Sequence, residues 1–265
     1  MGSNTTVRNI PAPRRAPADP VALPVSGEIA QCKTVCASCN LRELCVPCCG
    51  LTRSERDVAN RLAFNRVRVR RGESLYRSGD RFTSLYAVRN GFFKSQALLE
   101  NGREQVTGFA MAGEILGLDG IAPEQHNCNT VALEDSEVCA IPFAGLQSLA
   151  QELPGLQRHF YKTMSREIER EHGVMLQLGS MNAEERLAMF LLDLSRRFGA
   201  RGYSPAEFHL RMTREEIGSY LGLKLETVSR TFSRFQEQRL IAVQQKFIRI
   251  LDSAGLVGVM GRELR

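Results

Sequence analysis

The sequence predicts an α+β protein built from an antiparallel β-roll, a long helix and a C-terminal winged helix-turn-helix. Short β-prone runs separated by glycine and asparagine turn signals lie between Arg66 and Phe143. A continuous helical pattern follows from Pro154 to about Ser180, and two helices joined by a glycine turn come after it. We therefore divide the chain into a disordered tail at 1–30, a cysteine loop with the roll at 31–150, the long helix at 151–181 and the winged helix-turn-helix at 182–265.

Composition narrows the class of protein. The 265 residues carry a formal net charge of +6, which suits a polyanionic partner without identifying one. No apolar run approaches the ~18 residues that cross a bilayer, and the first residues do not resemble a signal peptide. Prolines and small residues dominate residues 1–30 and predict disorder. We expect a cytoplasmic protein with no membrane partner, in a reducing environment that disfavours disulfides.

Six of the eight cysteines lie between Cys32 and Cys49, a density that core packing does not require. Four of them are spaced C-x3-C-x2-C-x5-C, and Cys139 on a predicted strand is a candidate ligand from a distant part of the chain. Thiolates suit both tetrahedral zinc and iron–sulfur clusters, so the spacing alone leaves both open, with structural zinc the commoner use. The spaced cysteines are Cys32, Cys36, Cys39 and Cys45.

A short helix and then the roll follow the cysteines. Thr52 and Glu55 form a capping-box pattern that predicts a helix near residues 53–63. Strands are expected where short β-prone runs are bounded by turn signals such as Asn90-Gly91. The predicted strands cover residues 67–69, 84–88, 91–95, 105–109, 130–133 and 137–141.

The long helix has seam residues at alternating spacings of three and four, which is typical of a two-stranded coiled coil. The alternative is a helix that packs only on its own domain, because the seam is short. Glu171 interrupts the seam after Ile168, so in a homodimer two carboxylates would meet where burial and like charge oppose association. Either this makes the dimer marginal, as a switch, or the side chain reaches solvent. The seam positions are Tyr161, Met164, Ile168, Glu171, Met175 and Leu178.

The C-terminal pattern predicts a winged helix-turn-helix. A capping box at residues 182–185 starts a helix that runs to about Phe198, and a second box at 213–216 starts a short helix that ends at Leu221-Gly222. A longer helix is expected from about Leu225 to Arg239, followed by a β-hairpin wing at residues 240–251.

Three residues near the start of this last helix are candidates for reading DNA. Glu226, Ser229 and Arg230 have the i, i+3, i+4 spacing that places side chains on one helix face. Arginine can bind guanine O6 and N7 with two hydrogen bonds, and glutamate can accept from cytosine N4. Residues 183–265 also contain more Lys and Arg than Asp and Glu, which suits phosphate contacts. The alternative is a salt bridge between Glu226 and Arg230 on a solvated face.

At these residues the sequence resembles the FNR branch of the CRP/FNR superfamily of bacterial transcription factors. The resemblance covers nearly the whole chain from Cys32 onwards. It implies a roll of the cyclic-nucleotide-binding type, contact with RNA polymerase through loops such as 100–103, and a homodimer on double-stranded DNA. The expected DNA sequence is a TTGAT-N4-ATCAA palindrome, with Glu226, Ser229 and Arg230 on base edges. The motifs that carry it are Glu-Thr-Val-Ser-Arg at 226–230, Asn-Ala-Glu-Glu-Arg-Leu at 182–187, Leu-Ser-Arg-Arg-Phe at 194–198, Ser-Leu-Tyr-Ala-Val at 84–88 and the cysteine spacing.

The resemblance also selects between the two metals. In the FNR branch, three clustered cysteines and one distant cysteine hold an oxygen-labile [4Fe-4S] cluster. The matching positions are Cys36, Cys39, Cys45 and Cys139. Cys32 matches a cysteine that is not a ligand, and Cys48 is a possible substitute for Cys45.

Two departures from the superfamily pattern bear on function. Cyclic nucleotides need a Gly-Glu for the ribose and an Arg-Ser for the phosphate, whereas the corresponding stretches here are Gly117-Leu118 and residues 127–129, so we expect no cyclic nucleotide. Lys224 stands where the family usually has a Ser or Thr N-cap, a loss of about 1 kcal/mol of helix stability.

The sequence therefore predicts an oxygen-responsive transcription regulator that controls anaerobic gene expression and is not an enzyme. A zinc or thiol-based redox regulator with the same DNA-binding domain is the alternative. An iron–sulfur electron-transfer protein is disfavoured by the helix-turn-helix.

Overall fold

The fold is described from a computed structural model at residues 65–98 and 102–261. The cysteine-rich stretch from Cys32 to Cys49, the predicted tail and the predicted helix at 53–63 lie outside these residues. Glu100 and Asn101, of the loop that is expected to contact RNA polymerase, lie outside them as well.

Within residues 65–142, apart from the undescribed 99–101, eight strands form the β-roll and confirm the antiparallel architecture. They make two four-stranded sheets with the orders β1-β8-β3-β6 and β2-β7-β4-β5. The short strands β2 and β6 were missed by the sequence pattern. The strands are β1 (Asn65–Val69), β2 (Ser74–Tyr76), β3 (Ser84–Asn90), β4 (Phe92–Leu98), β5 (Glu104–Met111), β6 (Ile115–Leu116), β7 (Asn129–Ala132) and β8 (Ser136–Pro142).

Alternation along the strands separates two apolar clusters. Because successive side chains point to opposite faces of a sheet, Val138 of β8 packs between the sheets with Val88 and Phe93. Ile141 and Cys139 lie on the other face of β8, in a second cluster that extends beneath the helices after the roll.

Two helices follow the roll, α1 (Phe143–Glu152) and α2 (Pro154–Ser180). The bounds predicted for the long helix are confirmed, with Pro154 in its first turn, where a missing N–H breaks no helical hydrogen bond. The separate helix α1 was not predicted. Leu156, near the start of α2, is fully buried in the second apolar cluster.

The two sides of α2 have different environments. Leu156 and Gln177 are buried against the rest of the chain. Three seam residues point away from it, with Tyr161 60%, Ile168 50% and Met175 69% exposed. The predicted seam is therefore an apolar stripe on the solvent side of the helix.

The C-terminal part contains the predicted helix-turn-helix with both capping boxes. Asn182 and Glu185 exchange hydrogen bonds of 3.1 and 2.7 Å, and Thr213 and Glu216 exchange bonds of the same two lengths. The elements are α3 (Ala183–Gly199), β9 (Glu207–His209), α4 (Arg214–Leu221), α5 (Leu225–Glu237), β10 (Ile241–Gln244), β11 (Phe247–Ile250) and α6 (Ser253–Val259). The wing is a three-stranded sheet in the order β10-β11-β9, and neither β9 nor α6 was predicted.

The roll and the helix-turn-helix share one hydrophobic core. Phe109 of β5 packs against Phe190 of α3 and Tyr220 of α4, with ring centroids 6.1 and 5.2 Å apart. Phe92, Val106 and Met111 belong to the same cluster. This packing fixes the helix-turn-helix against one sheet of the roll. Among the described helices, none is long and apolar enough to span a membrane.

Candidate functional site

The surface of α5 is the candidate DNA-reading site. Val228, Phe232 and Phe235 are at most 1% exposed and, at spacings of four and three, anchor one face of the helix in the core. The guanidinium of Arg214 lies 3.4 Å from the centroid of the Phe232 ring, a cation–π contact that ties α4 to α5. The opposite face is therefore held rigidly towards solvent.

The three predicted reading residues lie together on that exposed face. Glu226, Ser229 and Arg230 are all exposed, within the first two turns of α5. Within residues 102–261, Glu226 and Arg230 form no ion pair with each other. Arg234 further along the helix pairs with Glu184 of α3. The start of α5 thus presents one carboxylate, one hydroxyl and one guanidinium for contact with base edges.

The turn between α4 and α5 depends on two glycines. Gly222 adopts the left-handed conformation with φ of +64°, which ends α4 in the manner predicted. A Cβ on Gly218 would lie 2.6 Å from the carbonyl oxygen of Leu223, so only glycine permits this close approach. Lys224 is the N-cap of α5 and provides no side-chain cap, in agreement with the sequence prediction.

Cys139 is the member of the predicted ligand set that lies within the described residues. It sits in β8 between Arg66 of β1 and Ala87 of β3. Its side chain is partly buried beside the cluster that contains Leu153 and Leu156 at the start of α2. Cys36, Cys39 and Cys45 fall in the undescribed part of the chain. The ligand set of four cysteines therefore stays a prediction.

The predicted switch residues lie on the exposed side of α2. Ile168 is 50% exposed, and Glu171 is exposed one helical turn later. The adjacent face of the helix carries Glu167 and Arg170, whose side chains form an ion pair of 2.7 Å.

A hydrogen-bonded cluster joins Asp119, which follows Gly117-Leu118, to residues 126–128 of the roll. The Asp119 carboxylate accepts from the Asn127 backbone N–H at 2.8 Å and from the Cys128 thiol at 3.3 Å, and it lies 3.4 Å from His126 Nδ1. The His126 ring is buried and stacks on Tyr76 at 3.7 Å. Burial and the Asp119 charge raise the pKa of the Cys128 thiol to about 12, so this thiol is unreactive near neutral pH.

Glu114 forms a charged cluster that the sequence pattern did not reveal. It accepts hydrogen bonds from Arg197, in the last turn of α3, and from Arg201, two residues beyond the end of that helix. Burial by itself raises the pKa of the Glu114 carboxyl. The charges of Arg197, Arg201 and Arg170 and the hydrogen bonds from Arg197 together outweigh burial, so the pKa lies below its ordinary value. The sequence shows the i,i+4 spacing of the two arginines, but nothing in it indicates that Glu114 is their partner.

Polar contacts also join β4 and β5 to the first helix of the helix-turn-helix. Lys94 Nζ lies 2.8 Å from Glu216, whose other oxygen closes the capping box of α4. The Val106 backbone N–H donates to Ser219 Oγ at 2.9 Å. The outer edge of β5 is therefore covered by α4.

Comparison with known proteins identifies the class. Residues 185–258 match the Crp-like helix-turn-helix domain and residues 66–152 the cyclic nucleotide-binding domain. The chain is 48% identical over 228 residues to the transcriptional regulatory protein btr of Bordetella pertussis, covering 86% of this chain and 94% of that protein. It is 42% identical over 230 residues to the fumarate and nitrate reduction regulatory protein of Escherichia coli, covering 87% and 92%.

A solved structure shares the fold. FixK2 from Bradyrhizobium japonicum matches 75% of this chain and 98% of its own, with a TM-score of 0.69 and 29% identity. The curated relatives are regulators of transcription, so the helix-turn-helix serves DNA binding and the protein is not an enzyme. From these matches and its two domains, the chain belongs to the CRP/FNR family of transcription regulators.

Proposed function

We propose that the protein is a cytoplasmic, oxygen-responsive transcription regulator that binds a [4Fe-4S] cluster and dimerises when the cluster is intact. The dimer reads a TTGAT-N4-ATCAA palindrome and controls anaerobic gene expression together with RNA polymerase. The observation that carries this proposal is the position of Cys139, which packs beside the apolar cluster that holds the start of α2. A relative named for fumarate and nitrate reduction supports the anaerobic role.

Cys139 is well placed to connect a bound loop to the dimerisation helix. It is fixed in the middle of β8 by pairing on both sides, so its thiol has a rigid support. Leu153 and Leu156 belong to the cluster beside which it packs, and both are buried. A loop bonded to this thiol is therefore tied to the first turn of α2.

The donor chemistry of the chain fits a cluster with four thiolate ligands. Among residues 65–98 and 102–261, no group of three or more His, Cys, Asp or Glu side chains is arranged to hold a metal ion. The other ligands must then come from the cysteine loop, where Cys36, Cys39 and Cys45 are the candidates and Cys48 is a substitute for Cys45. When bound, a [4Fe-4S] cluster supplies an oxygen-labile link between the loop and β8.

Metal analysis of anaerobically purified protein tests this assignment. We expect iron and sulfide in equal amounts with visible absorbance, and their loss when any of Cys36, Cys39, Cys45 or Cys139 is changed to Ser. Cys128→Ser is the matched control and should keep both. Zinc without iron would instead support the alternative, a zinc or thiol-based regulator with the same DNA-binding domain.

The exposed stripe on α2 supports a homodimer. Tyr161, Ile168 and Met175 recur at the seven-residue period of a coiled-coil seam, and each is at least 50% exposed. Pairing with a second copy buries these side chains. Glu171 lies on the same seam, where two carboxylates brought together repel each other and weaken the dimer.

The role of Glu171 is open to a direct test. In protein without its cluster, Glu171→Ala should raise the dimer fraction measured by sedimentation, because it removes the repulsion from the seam. Glu169→Ala removes an exposed carboxylate from the same helix outside the predicted seam and should change little. An unchanged dimer fraction for Glu171→Ala would refute the switch assignment.

We further propose that the roll does not bind a cyclic nucleotide. Leu118 replaces the glutamate expected at the ribose, and the Asp119 carboxylate already occupies the Asn127 backbone N–H. A phosphate there would face a carboxylate of the same charge. Calorimetric titration with cyclic AMP should show no binding, and micromolar affinity would contradict this part of the proposal.

A further inference from the structure

Three parts of the protein meet at one side chain, Glu114. It lies in the turn between β5 and β6 of the roll. Arg170 of α2 and the arginines Arg197 and Arg201 at the end of α3 surround its carboxylate. A single group therefore contacts the roll, the dimerisation helix and the DNA-binding part.

The geometry of this cluster is that of a specific clamp. Arg197 donates two hydrogen bonds to the carboxylate, from Nε at 3.0 Å and from Nη2 at 2.6 Å, which is the bidentate arrangement. Arg201 adds a bond of 2.6 Å, and Arg170 Nη1 lies 3.8 Å away. The backbone N–H of Met111 donates to the same carboxylate at 3.1 Å, which fixes it on its own turn.

The arginines also hold the backbone of the roll. Arg197 Nη2 donates to the carbonyl oxygen of Phe109 at 2.7 Å, and Arg201 Nε donates to that of Ala112. The side chains of Arg197 and Arg201 are only 12% and 8% exposed, so solvent and salt screen the ion pairs little. Removing the carboxylate leaves two partly buried guanidinium groups without their charged partner.

The chain connection between α2 and α3 is short and lies far from Glu114 in the sequence. Only Met181 and Asn182 lie between α2 and α3. Arg186 braces this joint by donating to the carbonyl oxygens of Leu178 and Leu221 at 2.8 and 2.9 Å. The brace lies at the joint itself, whereas the Glu114 clamp holds the far end of α3. Together with the shared core of Phe109, Phe190 and Tyr220, it opposes rotation of the DNA-binding part relative to the roll.

We propose that Glu114 is a positioning residue that sets the separation of the two reading helices in the dimer, and hence the spacing between half-sites that the protein accepts. This inference rests on the proposed function, a dimer that reads a two-part palindrome. Adding two base pairs between half-sites moves them apart by about 7 Å and rotates one by about 70°. A rigidly held pair of helices rejects the altered spacing, and a loosely held pair accepts it.

The test compares two DNA duplexes with the same half-sites and spacers of four or six base pairs. Full-length protein purified without oxygen should bind the four-base spacer at least about tenfold more tightly. Glu114→Gln keeps the shape of the side chain but removes its charge, and it should reduce this preference about fivefold or more, within the usual range of coupling between sites. Arg197→Gln should act in the same direction.

Arg196→Gln is the matched control. Arg196 is the neighbouring residue on α3, is 78% exposed and pairs with Asp193 of its own helix, so its loss should leave the spacing preference unchanged. The preference is a ratio of two affinities of one preparation, so a partly inactive sample does not alter it. Arg201→Gln, which removes one bond to the same carboxylate, carries the test where Glu114→Gln does not fold.

The outcomes of the spacer experiment separate this inference from the proposed function. A spacing preference equal to that of the wild type in Glu114→Gln and Arg197→Gln would overturn the inference. A fall in the dimer fraction of these variants would also overturn it, because Glu114 would then act through association. Wild-type protein that binds a palindrome no better than a single half-site would contradict the proposed function instead.

Discussion

Arg230→Met is the substitution that most sharply tests how α5 reads DNA. Arg230 is exposed near the start of the helix, in the position from which a helix-turn-helix contacts base edges. A bidentate contact to guanine is worth about 1 to 3 kcal/mol of discrimination, and the dimer carries two copies. The affinity for the palindrome should therefore fall about 30-fold or more.

The assay is fluorescence anisotropy with the palindrome and with a duplex whose G·C pairs are replaced by A·T. Arg230→Met should lower the affinity for the first duplex far more than for the second, because it removes a contact to guanine. Because the side chain is exposed, its loss should change the unfolding free energy by no more than about 0.5 kcal/mol.

Arg234→Met is the matched control for this prediction. Arg234 lies one turn further along α5 and is 59% exposed. Its side chain pairs with Glu184 of α3. A uniform loss of affinity on both duplexes by Arg230→Met, with a shallower salt dependence, would identify a phosphate contact and refute base reading by this residue.

Three further outcomes follow from the fold. Lys224→Ser should stabilise the protein by about 1 kcal/mol in urea unfolding, because it supplies the missing N-cap of α5, and an unchanged free energy would contradict this explanation. The pKa of Glu114 is lowered from its ordinary value of 4.5, so its stabilising contribution should be complete above pH 4.5 and disappear as the pH falls through the lowered pKa. The difference in unfolding free energy between the wild type and Glu114→Gln should shrink over that acid range, and a constant difference would argue against the clamp. Gly91→Ala should destabilise the roll by more than about 2 kcal/mol, since φ is +94° and a Cβ would lie 2.0 Å from Ser136 Oγ. Gly72→Ala, with φ of +83° and open space around it, should show only the smaller backbone effect, and urea unfolding of the two variants measures the difference.

Local signals made much of the fold predictable. The capping boxes at residues 182–185 and 213–216 depend on side chains three positions apart, so the sequence itself contains both partners. The bounds of α2 followed from Pro154 and a continuous apolar period. The end of α4 at Leu221-Gly222 was predicted from the glycine in the turn, and Gly222 adopts a positive φ there.

Contacts between distant residues could not be predicted in this way. Glu114 is separated from Arg197 by 83 positions and from Arg201 by 87, and nothing local to Glu114 indicates either partner. Strand β9 is only three residues long and forms because it pairs with β11. Two helices and β10 lie between these strands in the chain. The shared core of the roll and the helix-turn-helix likewise depends on Phe109 meeting Phe190 and Tyr220 across the fold.

The candidate sites also differ in whether local sequence patterns could predict them. The candidate reading residues Glu226, Ser229 and Arg230 were predicted from their spacing on one helix, and they lie together on its exposed face. The ligand set of Cys36, Cys39, Cys45 and Cys139 came from a family resemblance, and it stays a prediction because only Cys139 lies among the described residues.

The central claim is that cluster, dimer and DNA binding are coupled, and one experiment on a single anaerobic sample tests it most directly. Visible absorbance, dimer fraction by sedimentation and affinity for the palindrome are followed together as air is admitted in steps. All three should fall together, and Cys139→Ser protein should start at the low values. Bleaching of the absorbance with no change in dimer fraction or DNA affinity would show that the cluster does not control dimerisation or DNA binding.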